Sequence, residues 1–228
     1  NVYVCAFDDH KGPMVVLEGH TGAVNSVDCQ GTKLVSGSWD ATAKIWDLES
    51  GQCVKTLEGH SHATTVHITT KGEILTGSQD GFLRLWSGEG AKLKTIPAHT
   101  NIIRAIIEIP SMGVLTCSND SKVKLFSADL EELMVFEDAS SFLFSVAYLQ
   151  AESADFAAGG EDFKLFIYRG GKKVQDIMFP NTVWSIAVDR AHDNDLVVAS
   201  GDSVVRVFST KETTKAPEDE IHPFTSPA

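Results

Sequence analysis

Five aspartates recur along the chain, at positions 40, 80, 120, 162 and 202. Carboxylates serve in general acid–base catalysis and bind hard cations, so their recurrence first raises a question of chemistry. His20, His60 and His99 stand 20 or 21 residues ahead of the first three. His60, His62 and His67 also form a local cluster of imidazoles, the ligand type that suits zinc. The spacing argues against both uses. The aspartates return singly, with no nucleophile, phosphate-cradling glycine loop or GxSxG sequence beside them. The histidine cluster straddles a turn and a strand with no carboxylate in register. GEG at 88–90 and GG at 170–171 read as turns. No catalytic residue, metal or cofactor is therefore expected, and the protein is expected not to be an enzyme.

The aspartates belong to a longer repeat. The segments SGSWDATAKIW (36–46), TGSQDGFLRLW (76–86), TCSNDSKVKLF (116–126), AGGEDFKLFIY (158–168) and VASGDSVVRVF (198–208) align, with steps of 40, 40, 42 and 40 residues between aspartates. In each an aromatic follows six residues after the Asp: Trp46, Trp86, Phe126, Tyr168 and Phe208. Upstream, LEGH, LEGH and IPAH carry the three histidines. Within one period, AVNSVDC, KLVSGS, ATAKIWD and CVKTLEG alternate or cluster β-branched and apolar residues between Gly, Asp, Ser and Lys turns, the pattern of four short strands. No helical period appears. An all-β array of four-stranded units of about 40 residues points to radial repetition, which leaves only short, protected sheet edges.

The pattern resembles the WD40 repeat over residues 13–209. That resemblance implies an all-β propeller whose good blades hold a hydrogen-bonded tetrad of His, Ser or Thr, Asp and Trp. The sets are His20, Ser36, Asp40 and Trp46; His60, Thr76, Asp80 and Trp86; and His99, Thr116 and Asp120, with Phe126 in place of Trp. In the fourth and fifth units Ala158 and Val198 replace Ser or Thr, and no His precedes, so Asp162 and Asp202 are expected to hold their turns alone. Residues 1–18 read as the last two strands of an earlier blade, followed by four full units and three further strands, 21 in all. This predicts about five blades of a seven-bladed ring, with roughly 80–90 residues missing upstream. The start at Asn1 instead of Met fits that expectation. The propeller is expected over 1–209, starting mid-blade, with an exit tail over 210–228.

The order of blade signatures is more specific. SGSWDATAKIW, LTGSQD (75–80), CSNDSKVKLF (117–126), LFSVAYL (143–149), GGEDF (159–163), FPNTVWSIAV (179–188), GDSVVRVF (201–208) and PEDEI (217–221) resemble the phospholipase A-2-activating protein family, also described as ubiquitin-fusion-degradation adaptors. The resemblance implies a ubiquitin-binding propeller in an adaptor for an AAA segregase, which it would engage indirectly, through modules absent from this sequence. The alternative is a generic WD40 scaffold for another peptide or subunit. No residue supports direct lipase activation.

In WD40 proteins generally, partners dock where residues three and five after the loop His, and one before the turn Asp, point upward. Carried over, the first set is Ala23 and Asn25, Thr64 or Thr65, Ile102 and Arg104, Phe142 and Phe144, and Thr182 and Trp184. The second is Trp39, Gln79, Asn119, Glu161 and Gly201. Partner binding is assigned to Trp39, Gln79, Arg104, Asn119, Phe142, Phe144, Glu161 and Trp184. Trp39, Phe142, Phe144 and Trp184 would form an aromatic rim, and exposed apolar patches mark interaction sites. Phe142 and Phe144 alternate with Leu143, so one parity must face the sheet core.

Nineteen Lys and Arg against 31 Asp and Glu give a net charge of −12. No basic field exists to release counterions, so nucleic acid and anionic membrane are not expected as partners. No apolar run reaches the ~20 residues of a membrane helix. Cys5, Cys29, Cys53 and Cys117 lie in separate segments with no CxxC, which fits a reducing compartment, cytoplasmic and nuclear, better than a disulfide scaffold.

Overall fold

The computed structural model describes residues 1–4, 15–62, 64–151, 153–190 and 195–209. The expected exit tail, with PEDEI, and Cys5 lie outside the described residues. Among the described residues every regular element is a strand.

The chain divides into two compact units, 1–108 and 109–228. In the first, β1 (Val2–Val4) pairs antiparallel with β2 (Val15–Leu17). A four-stranded meander follows: β3 (Val24–Gln30), β4 (Lys33–Ser38), β5 (Ala43–Asp47) and β6 (Gln52–Leu57). A second consists of β7 (Thr65–Ile68), β8 (Ile74–Gly77), β9 (Phe82–Trp86) and β10 (Lys92–Pro97). The division between units falls at the end of β11 (Ile103–Ile109). The second unit continues through β12 (Gly113–Ser118), β13 (Val123–Phe126) and β14 (Glu132–Phe136), which pair in sequence. It then holds the meander β15 (Leu143–Tyr148), β16 (Phe156–Gly160), β17 (Lys164–Arg169) and β18 (Lys172–Met178). Among the described residues its last sheet has three strands: β19 (Val183–Asp189), β20 (Asp195–Ser200) and β21 (Val205–Phe208).

Packing between consecutive sheets explains the small residues of the repeat. The second strand of a meander lies in the middle of its sheet with neighbouring sheets against it, and β4, β8 and β16 are buried almost throughout. A Cβ on Gly37 would stand 2.0 Å from the Thr64 carbonyl oxygen; on Gly159 it would meet Val183 at 2.5 Å. The SGS, TGS and AGG runs are therefore dictated by how closely the next first strand approaches. Around them, Val35, Ala43, Ile45 and Leu57 pack on Val66, Ile68, Ile74 and Trp86 in the first unit. Ala147, Ala157, Leu165 and Ile167 pack on Val183, Ile186, Leu196 and Val198 in the second. Fourth strands alternate poorly: Val54, Leu93, Leu133 and Val174 are all exposed.

The tight turns after the second strands share one geometry. The residue after each repeat aspartate is left-handed: Ala41 (φ 67°), Gly81 (74°), Ser121 (67°), Phe163 (57°) and Ser203 (67°). In four of them the Asp carboxylate accepts the backbone N–H two residues on: Thr42 to Asp40 at 3.0 Å, Phe82 to Asp80 at 3.0 Å, Lys122 to Asp120 at 3.1 Å and Val204 to Asp202 at 3.3 Å. An Asx turn of this kind stabilises the left-handed residue, and this is why aspartate recurs there.

Candidate functional site

The first tetrad is complete. The Trp46 indole N–H donates to Ser36 Oγ at 2.8 Å. His20 Nε2 lies 2.7 Å from the same oxygen, and His20 Nδ1 is 2.8 Å from Asp40 Oδ2. With Nδ1–H donating to the carboxylate, Nε2 is left to accept the Ser36 hydroxyl proton, so each polar atom of the chain has a partner. Burial opposes the Asp40 charge. Hydrogen bonds from Thr42, His20 and the Thr21 amide outweigh it and hold the carboxyl well below the usual carboxylate range.

The second set is opened by an arginine. Trp86 donates to Thr76 at 2.9 Å, and His60 Nε2 lies 2.7 Å from Thr76 Oγ1. Asp80, however, is taken bidentately by Arg84, at 2.7 and 3.2 Å, and accepts from Ser78 at 2.7 Å. The guanidinium fork fits a carboxylate better than a single imidazole N–H does. His60 Nδ1 is left buried without a hydrogen-bond partner. Burial, then the nearby Arg84 charge, pushes the His60 pKa down to about 4. His99 is buried in the first unit; Thr116 and Phe126 are buried in the second, and Asp120 N–H donates to Ser118 Oγ at 3.1 Å.

Asp162 and Asp202 do not hold their turns alone, contrary to expectation. Asp162 accepts both the Ser140 amide, at 2.7 Å, and its hydroxyl, at 2.8 Å, so a serine stands in for the missing histidine. Nearby, the Tyr168 hydroxyl donates to Asp138 at 3.1 Å; burial first, then the Asp138 charge, raises the phenol's pKa. Asp202 is bound by Arg206 Nη2 at 2.5 Å and by the Ser200 hydroxyl. The D-x-x-x-R spacing at 80–84 and 202–206 is visible in the sequence and was the missed signal.

The imidazole cluster does not converge. His60 turns to Thr76, His67 Nδ1 meets Asp28 at 2.8 Å while its Nε2 accepts the Glu108 amide at 3.2 Å, and His62 is exposed. No group of metal-ligating side chains occurs among the described residues.

The upward positions of the first unit are mixed. Trp39 is 46% exposed at a turn tied to β3 by its own N–H to the Ala23 carbonyl, at 2.9 Å. Ala23, Asn25 and Gln79 are exposed and Arg104 is half-buried. Thr64, Thr65 and Ile102 are buried. Thr64 and Thr65 are packed inward because the Thr64 backbone abuts Gly37.

The second unit concentrates the aromatics. Leu143 takes the core parity, 2% exposed, and leaves Phe142 and Phe144 on the other side. Phe144 stacks on Trp184 with centroids 4.9 Å apart and planes 15° apart, joining β15 to β19. Trp184 remains 57% exposed and Phe142 40%. Glu161 N–H donates to the Phe142 carbonyl at 2.8 Å, and the Ser141 hydroxyl holds the Glu161 carboxylate at 2.6 Å. Gly201 N–H donates to the Thr182 carbonyl, at 2.8 Å, and Thr182 itself is buried. A Cβ on Gly201 would stand 2.8 Å from Asn181 Oδ1 and 3.2 Å from the Trp184 indole nitrogen, so the bare glycine makes room for both side chains. Asn119 is half-buried. Phe163, 43% exposed at its left-handed turn, is a further surface aromatic the repeat positions did not single out.

Antiparallel four-stranded sheets in series, Asx-turn aspartates and a His–Ser–Asp–Trp chain define the class: this is a WD40-repeat propeller protein, with about five blades. A model of the WD domain, G-beta repeat, matches residues 11–47 and 51–87. Within that class the chain is a relative of the phospholipase A-2-activating and ubiquitin homeostasis proteins. It is 34% identical over 217 residues to the ubiquitin homeostasis protein lub1 of Schizosaccharomyces pombe, covering 94% of this chain and 29% of that protein. The chain thus spans under a third of this relative's length. The WD40 propeller domain of Doa1 superposes with a TM-score of 0.78 at 28% identity, covering 89% of this chain and 69% of that one. The computationally designed Ika8 protein, at 23% identity and a TM-score of 0.74, covers 86% and 61% respectively and shares the fold.

Proposed function

We infer that this chain is a non-catalytic ubiquitin-binding propeller, part of an adaptor that presents ubiquitinated proteins to an AAA segregase for degradation. The stacked Phe144–Trp184 pair carries the inference. Large aromatics left exposed beside a polar rim have the composition of protein-binding hot spots. Glu161, fixed by Ser141 next to Phe142, adds a negative charge to that surface. Ubiquitin offers an apolar recognition face with basic flanks, which suits aromatics beside a carboxylate on a chain of net charge −12. The name of one relative, lub1, points to ubiquitin homeostasis. Trp39 holds in its repeat the position that Glu161 and Gly201 hold in theirs, and by that position it is assigned to partner binding, as are Gln79, Arg104 and Asn119 by theirs. The recurring aspartates hold turns, Arg84, Ser140 and Arg206, which supports a structural role for them. Engagement of the segregase rests on modules outside this sequence.

Titration of labelled ubiquitin with the 228-residue chain tests the assignment. Saturable binding that falls at least tenfold in Trp184→Ala and Phe144→Ala supports it. A pull-down that returns another partner and no ubiquitin supports the generic scaffold instead.

A further inference from the structure

The tight turn after a second strand uses one left-handed residue, and the other repeats fill that place with small ones: Ala41, Gly81, Ser121 and Ser203. The turn between β16 and β17 holds Phe163 there, at φ 57°. A left-handed backbone crowds the Cβ of an L-residue, and a bulky side chain makes such a position a clear outlier, so this choice works against the stability of the turn. Among the described residues one other bulky apolar side chain stands on a left-handed backbone, Leu130 at φ 58°. Leu130 is 3% exposed, and its burial offsets the strain. Phe163 is 43% exposed and gains far less from burial.

The fold holds Phe163 in place from both sides. Before it, Asp162 accepts the Ser140 amide and hydroxyl, and the Glu161 N–H donates to the Phe142 carbonyl. After it, the Phe163 carbonyl accepts the Phe179 N–H at 2.8 Å. A strained residue persists where its surroundings over-determine it, and such residues cluster at sites that hold ligands. The same bonds tie the turn to the loop that leads into β15. Phe142, Glu161 and Phe163 therefore belong to one fixed piece of surface within the second unit. It carries two exposed aromatics and an exposed carboxylate that the Ser141 hydroxyl holds at 2.6 Å.

We propose that Phe163 contacts the ubiquitin bound by this propeller, as an aromatic anchor additional to the Phe144–Trp184 pair. The assignment rests on ubiquitin binding by the propeller and extends it to a residue outside the repeat's upward positions. Complementarity selects the occupant: an apolar face suits Phe142 and Phe163, and its basic flank suits Glu161. An aromatic on a turn already fixed loses little freedom on binding, so the strain that lowers stability prepares the contact.

Titration of labelled ubiquitin with three forms of the 228-residue chain tests this: unsubstituted, Phe163→Asn and Phe163→Tyr. Asparagine tolerates a left-handed backbone and removes the ring, whereas tyrosine keeps it. Phe163→Asn should weaken binding about tenfold, with a melting temperature no lower than that of the unsubstituted chain. Phe163→Tyr should bind within about threefold of the unsubstituted chain. Equal affinity in Phe163→Asn, or an equal loss in both variants, overturns the proposal. A lower melting temperature in Phe163→Asn overturns it as well, since the ring would then serve packing. Binding that weakens in Trp184→Ala and not in Phe163→Asn defeats this proposal alone. No binding by the unsubstituted chain defeats the proposed function and this contact together.

Discussion

At the scale of single residues, the tetrads are devices for satisfying buried polar atoms, and each makes a prediction. Ser36→Ala removes the common partner of the Trp46 indole and the His20 ring, leaving two buried groups unmatched. A loss of about 2–4 kcal/mol is expected in urea unfolding, against a much smaller one for Ser36→Thr, since Thr76 does the same work in the next sheet. His60 behaves differently because Arg84 has claimed Asp80. Its folded pKa, about 4, lies below the unfolded value of 6.5, so as pH falls the unfolded chain takes up this proton first. Stability is then full above pH ~6.5 and declines toward pH ~4 by roughly 3 kcal/mol, and His60→Gln should flatten that slope when urea midpoints are compared across the window. Asp40 acts at lower pH: its depressed carboxyl stabilises above the unfolded value of 3.8 and loses that contribution as pH falls through the folded one, so Asp40→Asn should blunt the acid limb. The identities of His20, Ser36, Asp40 and Trp46 were legible as a repeat. The capture of Asp80 and Asp202 by arginine was not, because recurrence of one residue says nothing of a competitor four positions on.

At the scale of the element, the meander is written in alternation and small residues. Strand positions were legible because apolar residues recur between Gly and Asp turns; the reason for SGS, TGS and AGG was not, because it lies in the neighbouring sheet. Gly37→Ala should cost about 3 kcal/mol or more, since its Cβ would overlap the Thr64 carbonyl and the two sheets would have to part. The turn that follows invites the opposite substitution. Ala41 sits at φ 67°, and Ala41→Gly should raise the thermal midpoint by the equivalent of about 1 kcal/mol, read by calorimetry. The one-residue ambiguity in the first strand of the β7–β10 sheet shows where alternation alone fails. Thr64 and Thr65 are both buried, so an upward position cannot be counted from the histidine when the loop between them changes length.

At the scale of the whole molecule, function resides in what the repeats leave over. Core aromatics such as Trp46 and Phe126 are 1% exposed, while Trp39, Phe142 and Trp184 remain at the surface. That contrast was partly legible: the repeat placed all four candidates, and parity set Leu143 apart from Phe142 and Phe144, but only the structure shows Phe144 lying flat against Trp184 across two strands. The central claim is that this stacked surface recognises ubiquitin, and its most direct measurement is a titration of isotope-labelled ubiquitin with the chain and with Trp184→Ala. The account predicts saturable shifts clustered on ubiquitin's apolar face and a loss of at least tenfold in affinity in the variant, which stays folded under the conditions of the titration. An absence of shifts, or equal affinity for both chains, would contradict it.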